Sequence, residues 1–206
     1  MYHIKEIFGP TIQGEGKFTG TIVKFIRFSG CNRWSGLEEN RHLSICHFCD
    51  TDFRGGEPMT IETILEALDP LGRADHVVLS GGEPTLQLDL PILSALHKKG
   101  YKLHLETNGS IQLGERLPLI DHITLSPKQG RHETLIERCD EIKLLYPPIH
   151  PDVTPEMFDG FPTHEKFLQP VWDAHYRENL RATLQKCYET PDWRLSLQTH
   201  KMIGVA

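Results

Sequence analysis

No apolar stretch in the 206-residue chain approaches the roughly 20 residues that cross a bilayer as a helix. The opening residues, Met1-Tyr2-His3-Ile4-Lys5-Glu6, lack the basic and apolar pattern of a signal peptide, and the chain is read as cytoplasmic. Asn108-Gly109-Ser110 spells a glycosylation sequon, which carries no weight without export. Positive charge is not in excess. Twenty-two Lys and Arg against 28 Asp and Glu leave a net charge of −6. That gives no whole-chain electrostatic reason to expect a nucleic-acid partner. Internal repeats and low-complexity tracts are missing too. Cysteine is scarce and odd in number: Cys31, Cys46, Cys49, Cys139 and Cys187. Without an export signal, that argues against a disulfide framework.

What is present is an ordinary globular mixture, 38% apolar and 24% charged, long enough for one domain with a sizeable core. Strand patterns fall at Thr21 to Phe28, His76 to Ser80, Tyr101 to Leu105, Ile120 to Leu125, Glu141 to Tyr146, Lys166 to Gln169 and Arg194 to Gln198. Lys24 and Arg27 are unusual in so apolar a strand; each is expected at a strand end or with its stem along apolar surface. Thr60 caps a helix whose stripe is Ile61, Ile64, Leu65 and Leu68, and Asp89 with Pro91 opens a second. Further helices are expected over Thr154 to Phe158 and Ala174 to Tyr188. The interval from Thr107 to Ile120 is short for a crossover helix. Strands alternating with helices predict an α/β fold with a mostly parallel sheet, open or closed into a barrel. In either arrangement chemistry gathers just beyond the strand C-termini. Gly30-Cys31, Ser80-Gly81-Gly82-Glu83-Pro84, Glu106-Thr107-Asn108-Gly109, Ser126-Pro127-Lys128 and Gln169-Pro170 all fall at such places.

Three of the cysteines lie close in sequence: fourteen residues separate Cys31 from Cys46, and two separate Cys46 from Cys49. Thiolates at this spacing suit a soft metal. Zinc would need a fourth ligand, for which His42 or His47 is available. An iron–sulfur cluster held by three thiolates leaves one iron open for chemistry. Buried, inert thiols are the third reading. Cys139, in a polar run resembling helix, and Cys187 read as packing residues. Phe48, between the close pair, packs the loop or shields a cluster.

The remaining motifs each have a plain alternative. Gly81-Gly82 permits close backbone approach, or is simply a turn. Glu83 is an anionic acceptor suited to an ammonium group. Glu106 and Asn108 can bond ribose hydroxyls or form a turn. Ser126 and Lys128 suit a carboxylate or ribose, and Gln169 suits an adenine edge. Gln13 and Glu15, in the segment Ile12-Gln13-Gly14-Glu15-Gly16 before the first strand, can read the donor and acceptor face of a pterin or purine. Arg27 can clamp a carboxylate through two parallel hydrogen bonds. Asp50, Thr51 and Asp52 offer oxygen ligands to Mg²⁺ or form an Asx turn.

Taken together these motifs resemble the radical S-adenosylmethionine enzymes and, among them, the 7-carboxy-7-deazaguanine synthases of the queuosine precursor pathway. The resemblance also rests on Lys5-Glu6-Ile7-Phe8, Cys46-His47-Phe48-Cys49-Asp50-Thr51 and Leu195 to Lys201, and covers nearly the whole chain. It implies an incomplete, modified (β/α) barrel spanning 1–206, with 32–45 as an insertion between the first two cluster cysteines. It implies a [4Fe-4S] cluster on Cys31, Cys46 and Cys49, and Mg²⁺ on Thr51. Phe48, Asp50, Gly81, Gly82, Glu83, Gln87, Glu106, Asn108, Ser126, Pro127, Lys128, Gln169, Pro170, Val171 and Trp172 are then placed at S-adenosylmethionine. Ile12, Gln13, Gly14, Glu15, Arg27, Thr85 and Ala206 are placed at a carboxylated pterin. The implied reaction is a radical ring contraction of 6-carboxy-5,6,7,8-tetrahydropterin to 7-carboxy-7-deazaguanine with loss of ammonia, S-adenosylmethionine being regenerated. A homodimer and a reductant such as flavodoxin follow from the same likeness, with no nucleic-acid or membrane partner. A glycyl-radical activase is the enzymatic alternative, and a zinc-binding interaction module the non-catalytic one. The chain departs from the common superfamily spacing in its long first gap, and from the family's usual terminal proline by ending Gly204-Val205-Ala206.

Overall fold

The computed structural model describes residues 1–205; Ala206 lies outside the described residues. Nine strands are β1 (Tyr2–Ile12), β2 (Ile22–Phe28), β3 (Glu57–Met59), β4 (His76–Gly81), β5 (Lys102–Thr107), β6 (His122–Leu125), β7 (Glu141–Tyr146), β8 (Glu165–Pro170) and β9 (Arg194–Leu195). The helices are α1 (Ile61–Leu68), α2 (Leu90–Lys98), α3 (Tyr176–Glu189) and α4 (Thr199–Ile203). The strand order is β3-β1-β2-β4-β5-β6-β7-β8-β9, so the sheet is not closed. The pairs β2–β4, β4–β5, β6–β7, β7–β8 and β8–β9 run parallel, and β1–β3 antiparallel. The expected mostly parallel α/β sheet is therefore present.

The chain divides into two compact units. The first comprises 1–11, 22–107 and 111–123. Its core is Ile26 and Phe28 of β2, Val77 to Leu79 of β4, and Leu103 and Leu105 of β5. Ile64, Leu68, Ile92, Leu93 and Leu96 supply the helical side. Both helices begin as their sequences dictate. Thr60 accepts the Thr63 amide, and Asp89 accepts the Ile92 amide with Pro91 in the first turn. The 107–120 interval holds only a 3₁₀ segment at Gly114–Leu119, the abbreviated crossover its length implies. The second unit comprises 12–21, 108–110 and 124–206, and packs around Ile142, Leu144, Phe158, Phe161, Phe167 and Leu168.

Several expectations need correction. The segment from Ile12 does not precede the first strand, because β1 comes before it. Gly9-Pro10 and a weak alternation hide β1 in the sequence, although Tyr2 and Ile4 are buried. Lys24 is neither terminal nor exposed. It is 3% accessible in the middle of β2, and its ammonium donates to the Leu68 carbonyl at 3.0 Å and the Tyr101 hydroxyl at 3.2 Å. Such partners are what make burial of the charge tolerable. The Thr154–Phe158 helix is one 3₁₀ turn, Pro155–Phe158. Cys139 sits in irregular chain, its amide donating to Pro162. The last strand stops at Leu195, and the chain re-forms as α4, closed by Gly204 at φ +71°. The short β3 was not anticipated.

Candidate functional site

In the first unit the structure brings the three close cysteines to one apolar pocket. Cys46 is buried with Trp34 and Phe53, and Cys31, Phe48 and Cys49 pack against that cluster. Trp34 and Phe53 meet edge to face at 5.7 Å, and the Arg41 guanidinium covers Trp34 at 4.2 Å. Residues 32–45 thus fold back through Trp34 to wall the thiols. All three are free thiols. Burial pushes the Cys31 thiol above its ordinary range despite a 3.4 Å hydrogen bond from the Arg33 amide to its sulfur, and nearby Glu83 and Cys49 add to the rise. Among the described residues, no group of three His, Cys, Asp or Glu converges as a site for a metal ion. That leaves the zinc reading with His42 or His47 without a site. It does not count against a cluster, whose thiolates bind separate irons and stand farther apart than ligands around one ion. Three thiols in an apolar wall, one with an amide directed at its sulfur, fit an iron–sulfur cluster as a donor set.

The Ser80–Pro84 motif lies against the same loop. The Gly82 amide donates to Phe28, and the Glu83 amide to Gly30 at 2.9 Å. A Cβ on Gly82 would stand 2.1 Å from the Gly30 oxygen and 2.8 Å from Cys31 Cβ. One on Gly81, whose φ is +144°, would stand 2.2 Å from the Phe28 oxygen. The paired glycines are therefore needed to lay the end of β4 against the turn carrying Cys31. Glu83 is fully buried; its Oε1 accepts from the Thr85 amide and hydroxyl and from the Thr107 hydroxyl at 3.1, 2.6 and 2.8 Å. Gln87 uses its amide on the backbone, donating to Ser29 at 2.8 Å and accepting from His3 at 2.7 Å. A cleft of about 370 Å³ opens beside Ser29, Gly30, Phe53, Arg54 and Gln87, within the size range of small-ligand sites. Arg27, next to the end of β2, donates through Nε to Glu6 at 2.6 Å, with its guanidinium over Phe8. Asp50 is exposed and Thr51 half-buried, while Asp52 pairs with Lys5 at 2.6 Å and accepts the Arg54 amide. Glu106 is half-buried at the end of β5.

The second unit gathers the other expected residues. After Ile12 ends β1, Gln13 pairs with Thr21 and Gly20 through its backbone. Gly14 accepts the Thr199 amide, and a Cβ there would stand 1.9 Å from His200 Nδ1. Glu15 is bonded by Lys143 Nζ and, at 2.8 Å, by Gln198 Nε2. Ser196 Oγ accepts the Gly16 amide at 3.0 Å and donates to Gln169 Oε1 at 2.9 Å, joining a residue expected at the pterin loop to one expected at the cofactor. Asn108 makes an Asx turn, accepting the Ser110 amide, with Gly109 at φ +77°. Lys128 donates to Ser126 at 2.6 Å, with Pro127 between them. Pro170 is buried at the end of β8, and the Val171 amide returns to Tyr146. Trp172 lies 4.2 Å from Tyr176 with Lys201 over its ring. Ala206, expected at the substrate, lies outside the described residues. Sequence reasoning passed over Glu141, Lys143 and Ser196. The available signal was two charges set two apart in an otherwise apolar strand.

Comparisons with known proteins converge. The family model "Radical SAM superfamily" matches residues 40–143, which include Cys46 and Cys49 and leave Cys31 outside. A 7-carboxy-7-deazaguanine synthase of Bradyrhizobium diazoefficiens is 40% identical, with 99% of each chain covered. That of Bacteroides thetaiotaomicron is 40% identical, with 100% of this chain and 99% of the relative covered, and that of Escherichia coli is 32% identical over 100% of both. The crystal structure of QueE from Escherichia coli matches 97% of this chain and 94% of its own with a TM-score of 0.69 at 27% identity. The expected incomplete (β/α) barrel of the radical S-adenosylmethionine type is in accord with that likeness.

Proposed function

The chain belongs to the radical S-adenosylmethionine superfamily and, within it, to the 7-carboxy-7-deazaguanine synthases, and on that premise we propose how its residues divide the work. The reaction is the radical ring contraction of 6-carboxy-5,6,7,8-tetrahydropterin to 7-carboxy-7-deazaguanine with release of ammonia. The observation that carries this reading is the joint presence of three thiols in one apolar pocket and the Gly81-Gly82 strand end laid against the turn of Cys31.

Cys31, Cys46 and Cys49 would hold a [4Fe-4S] cluster, which when bound with S-adenosylmethionine supplies a 5′-deoxyadenosyl radical for hydrogen abstraction from the pterin. Gly81, Gly82 and Glu83 would line the methionine end of S-adenosylmethionine, with Phe48 at its adenine. Trp34 and Phe53 exclude water behind the thiols. Arg27 holds the substrate carboxylate, and Gln13 and Glu15 orient the ring. Thr51 offers a hydroxyl to Mg²⁺, whose remaining ligands come from substrate and water. Fixing the pterin within contact of the radical and keeping other hydrogen donors away is the protein's main contribution. We also propose that residues 32–45 are an insertion serving to place Cys31, that the chain works as a homodimer, and that a flavodoxin-like protein supplies electrons.

Anaerobic reconstitution followed by incubation with the carboxypterin, S-adenosylmethionine, Mg²⁺ and a reductant tests the reading. Ammonia and a deazapurine should form in equal amounts without net loss of S-adenosylmethionine. Consumption of S-adenosylmethionine in step with product, or no deazapurine at all, would contradict it.

A further inference from the structure

Glu141 and Lys143 stand two positions apart on β7, so both side chains leave the same face of the strand. Both residues are buried, and both reach the loop that follows β1. Glu141 accepts the Lys17 amide at 2.9 Å and the Thr124 hydroxyl at 3.1 Å. A Cβ on Gly16 would stand 2.2 Å from the Glu141 carboxylate, so the loop rests directly on it. Lys143 donates to Glu15 Oε2, while Gln198 donates to Oε1. Lys201 in turn donates to Gln198 Oε1 at 3.2 Å, which fixes the Gln198 amide with its NH₂ toward Glu15. The Lys143 side chain is 6% exposed and that of Glu15 18%, so the cation lies beneath and the carboxylate at the rim. A buried ion pair is costly to desolvate and gains little over apolar packing, so its presence under a binding loop calls for a role other than stability.

We propose that Lys143 is a positioning residue for substrate recognition, fixing Glu15 as an ionised acceptor for the two N–H donors of a 2-amino-4-oxopyrimidine edge. This rests on the function proposed above and deepens it. A carboxylate offers about four acceptor directions. Lys143 and Gln198 take one on each oxygen, leaving one on each for a ring N–H and the adjacent exocyclic amine. A protonated carboxyl would present a donor to one of them. Burial works to raise the Glu15 pKa, but Lys143, Gln198 and the charge of His200 together hold it down to about 2. These groups face Glu15 from β7 and from the C-terminal segment, with Glu141 the other charge on the same face of β7.

The test compares K143M, K143R, E15Q and the E15Q/K143M double variant by two readouts. The first is the carboxyl titration of Glu15 in the protein without ligands, followed by carbon NMR. It should rise in K143M to or above the ordinary value of about 4.3 and return toward the wild-type value in K143R. The second is KM for the carboxypterin across pH 4 to 8. K143M should raise it at least about tenfold and make it worsen toward acid pH, with KM for S-adenosylmethionine unchanged. In the E15Q background the same substitution should add little. A flat pH profile, an unmoved Glu15 titration, or full additivity with E15Q would overturn the proposal. If K143M alone does not fold, a folded double variant that binds as E15Q supports the proposal, and an unfolded one overturns it. A wild type inactive on the carboxypterin would defeat the assigned function, whereas the Glu15 titration would still report separately on the role of Lys143.

Discussion

Arg27 is oriented before any ligand arrives. Glu6 engages its Nε at 2.6 Å, and Phe8 lies beneath the guanidinium at 5.6 Å, so little side-chain freedom remains to be lost on binding. Arginine has five N–H donors, and the Glu6 bond uses Nε. R27A should therefore raise KM for the carboxypterin at least about tenfold and leave the affinity for S-adenosylmethionine close to wild type; equal weakening of both would remove Arg27 from the substrate site. A second residue-scale expectation concerns His76, whose Nδ1 lies 2.8 Å from His104 Nε2. Burial, then the charge of Lys102, lowers its pKa below the ordinary 6.5, with Asp75 and Asp121 opposing. The folded protein thus binds the proton less readily than the unfolded chain. The stability this confers is complete above the unfolded pKa and is lost as pH falls below 6.5 toward the folded value. The urea midpoint should fall between pH 7 and pH 5, and fall less in H76N, which cannot titrate; identical slopes would contradict this. At this scale the sequence was partly legible. Cys31, Cys46 and Cys49 could be grouped from spacing alone, whereas Lys143 could not be joined to Glu15, because 128 positions separate them.

Among the elements, the helices with side-chain caps were readable and the chain ends were not. Thr60 and Asp89 announce α1 and α2 because a cap is a local interaction, complete within four residues. β1 was hidden since its own alternation is weak and is interrupted at Gly9-Pro10. The last strand was overextended because its pairing is cut short where Thr199 turns to Gly14, a contact no local pattern records. The meeting of β4 with the Cys31 turn gives the element-scale prediction. In G82A the new methyl would meet the Gly30 oxygen and Cys31 Cβ, and backbone has no rotamer by which to withdraw. We expect a destabilisation of about 1–3 kcal/mol together with reduced cluster incorporation, read from the denaturant midpoint and from iron content after reconstitution. A variant with normal iron content and midpoint would show that the close approach is not required.

For the whole molecule, the α/β class and the positions along the chain of the strands after residue 76 followed from alternating apolar runs, since each strand is read from its own residues. The division into two compact units did not follow, because it depends on which distant segments share a core: residues 12–21 fold with the C-terminal half, not with the strands on either side of them. The functional claim rests on a cluster with three protein ligands and one iron left for S-adenosylmethionine. Cys139, whose thiol burial drives up to about 12, and Cys187, half-buried on α3, stand outside that set. The most direct test is anaerobic turnover of the carboxypterin in each single Cys→Ala variant after reconstitution, with iron and sulfide measured alongside. Deazapurine formation should vanish in C31A, C46A and C49A and persist in C139A and C187A. Turnover that survives loss of Cys31, Cys46 or Cys49, or that requires a fourth cysteine, would contradict the account.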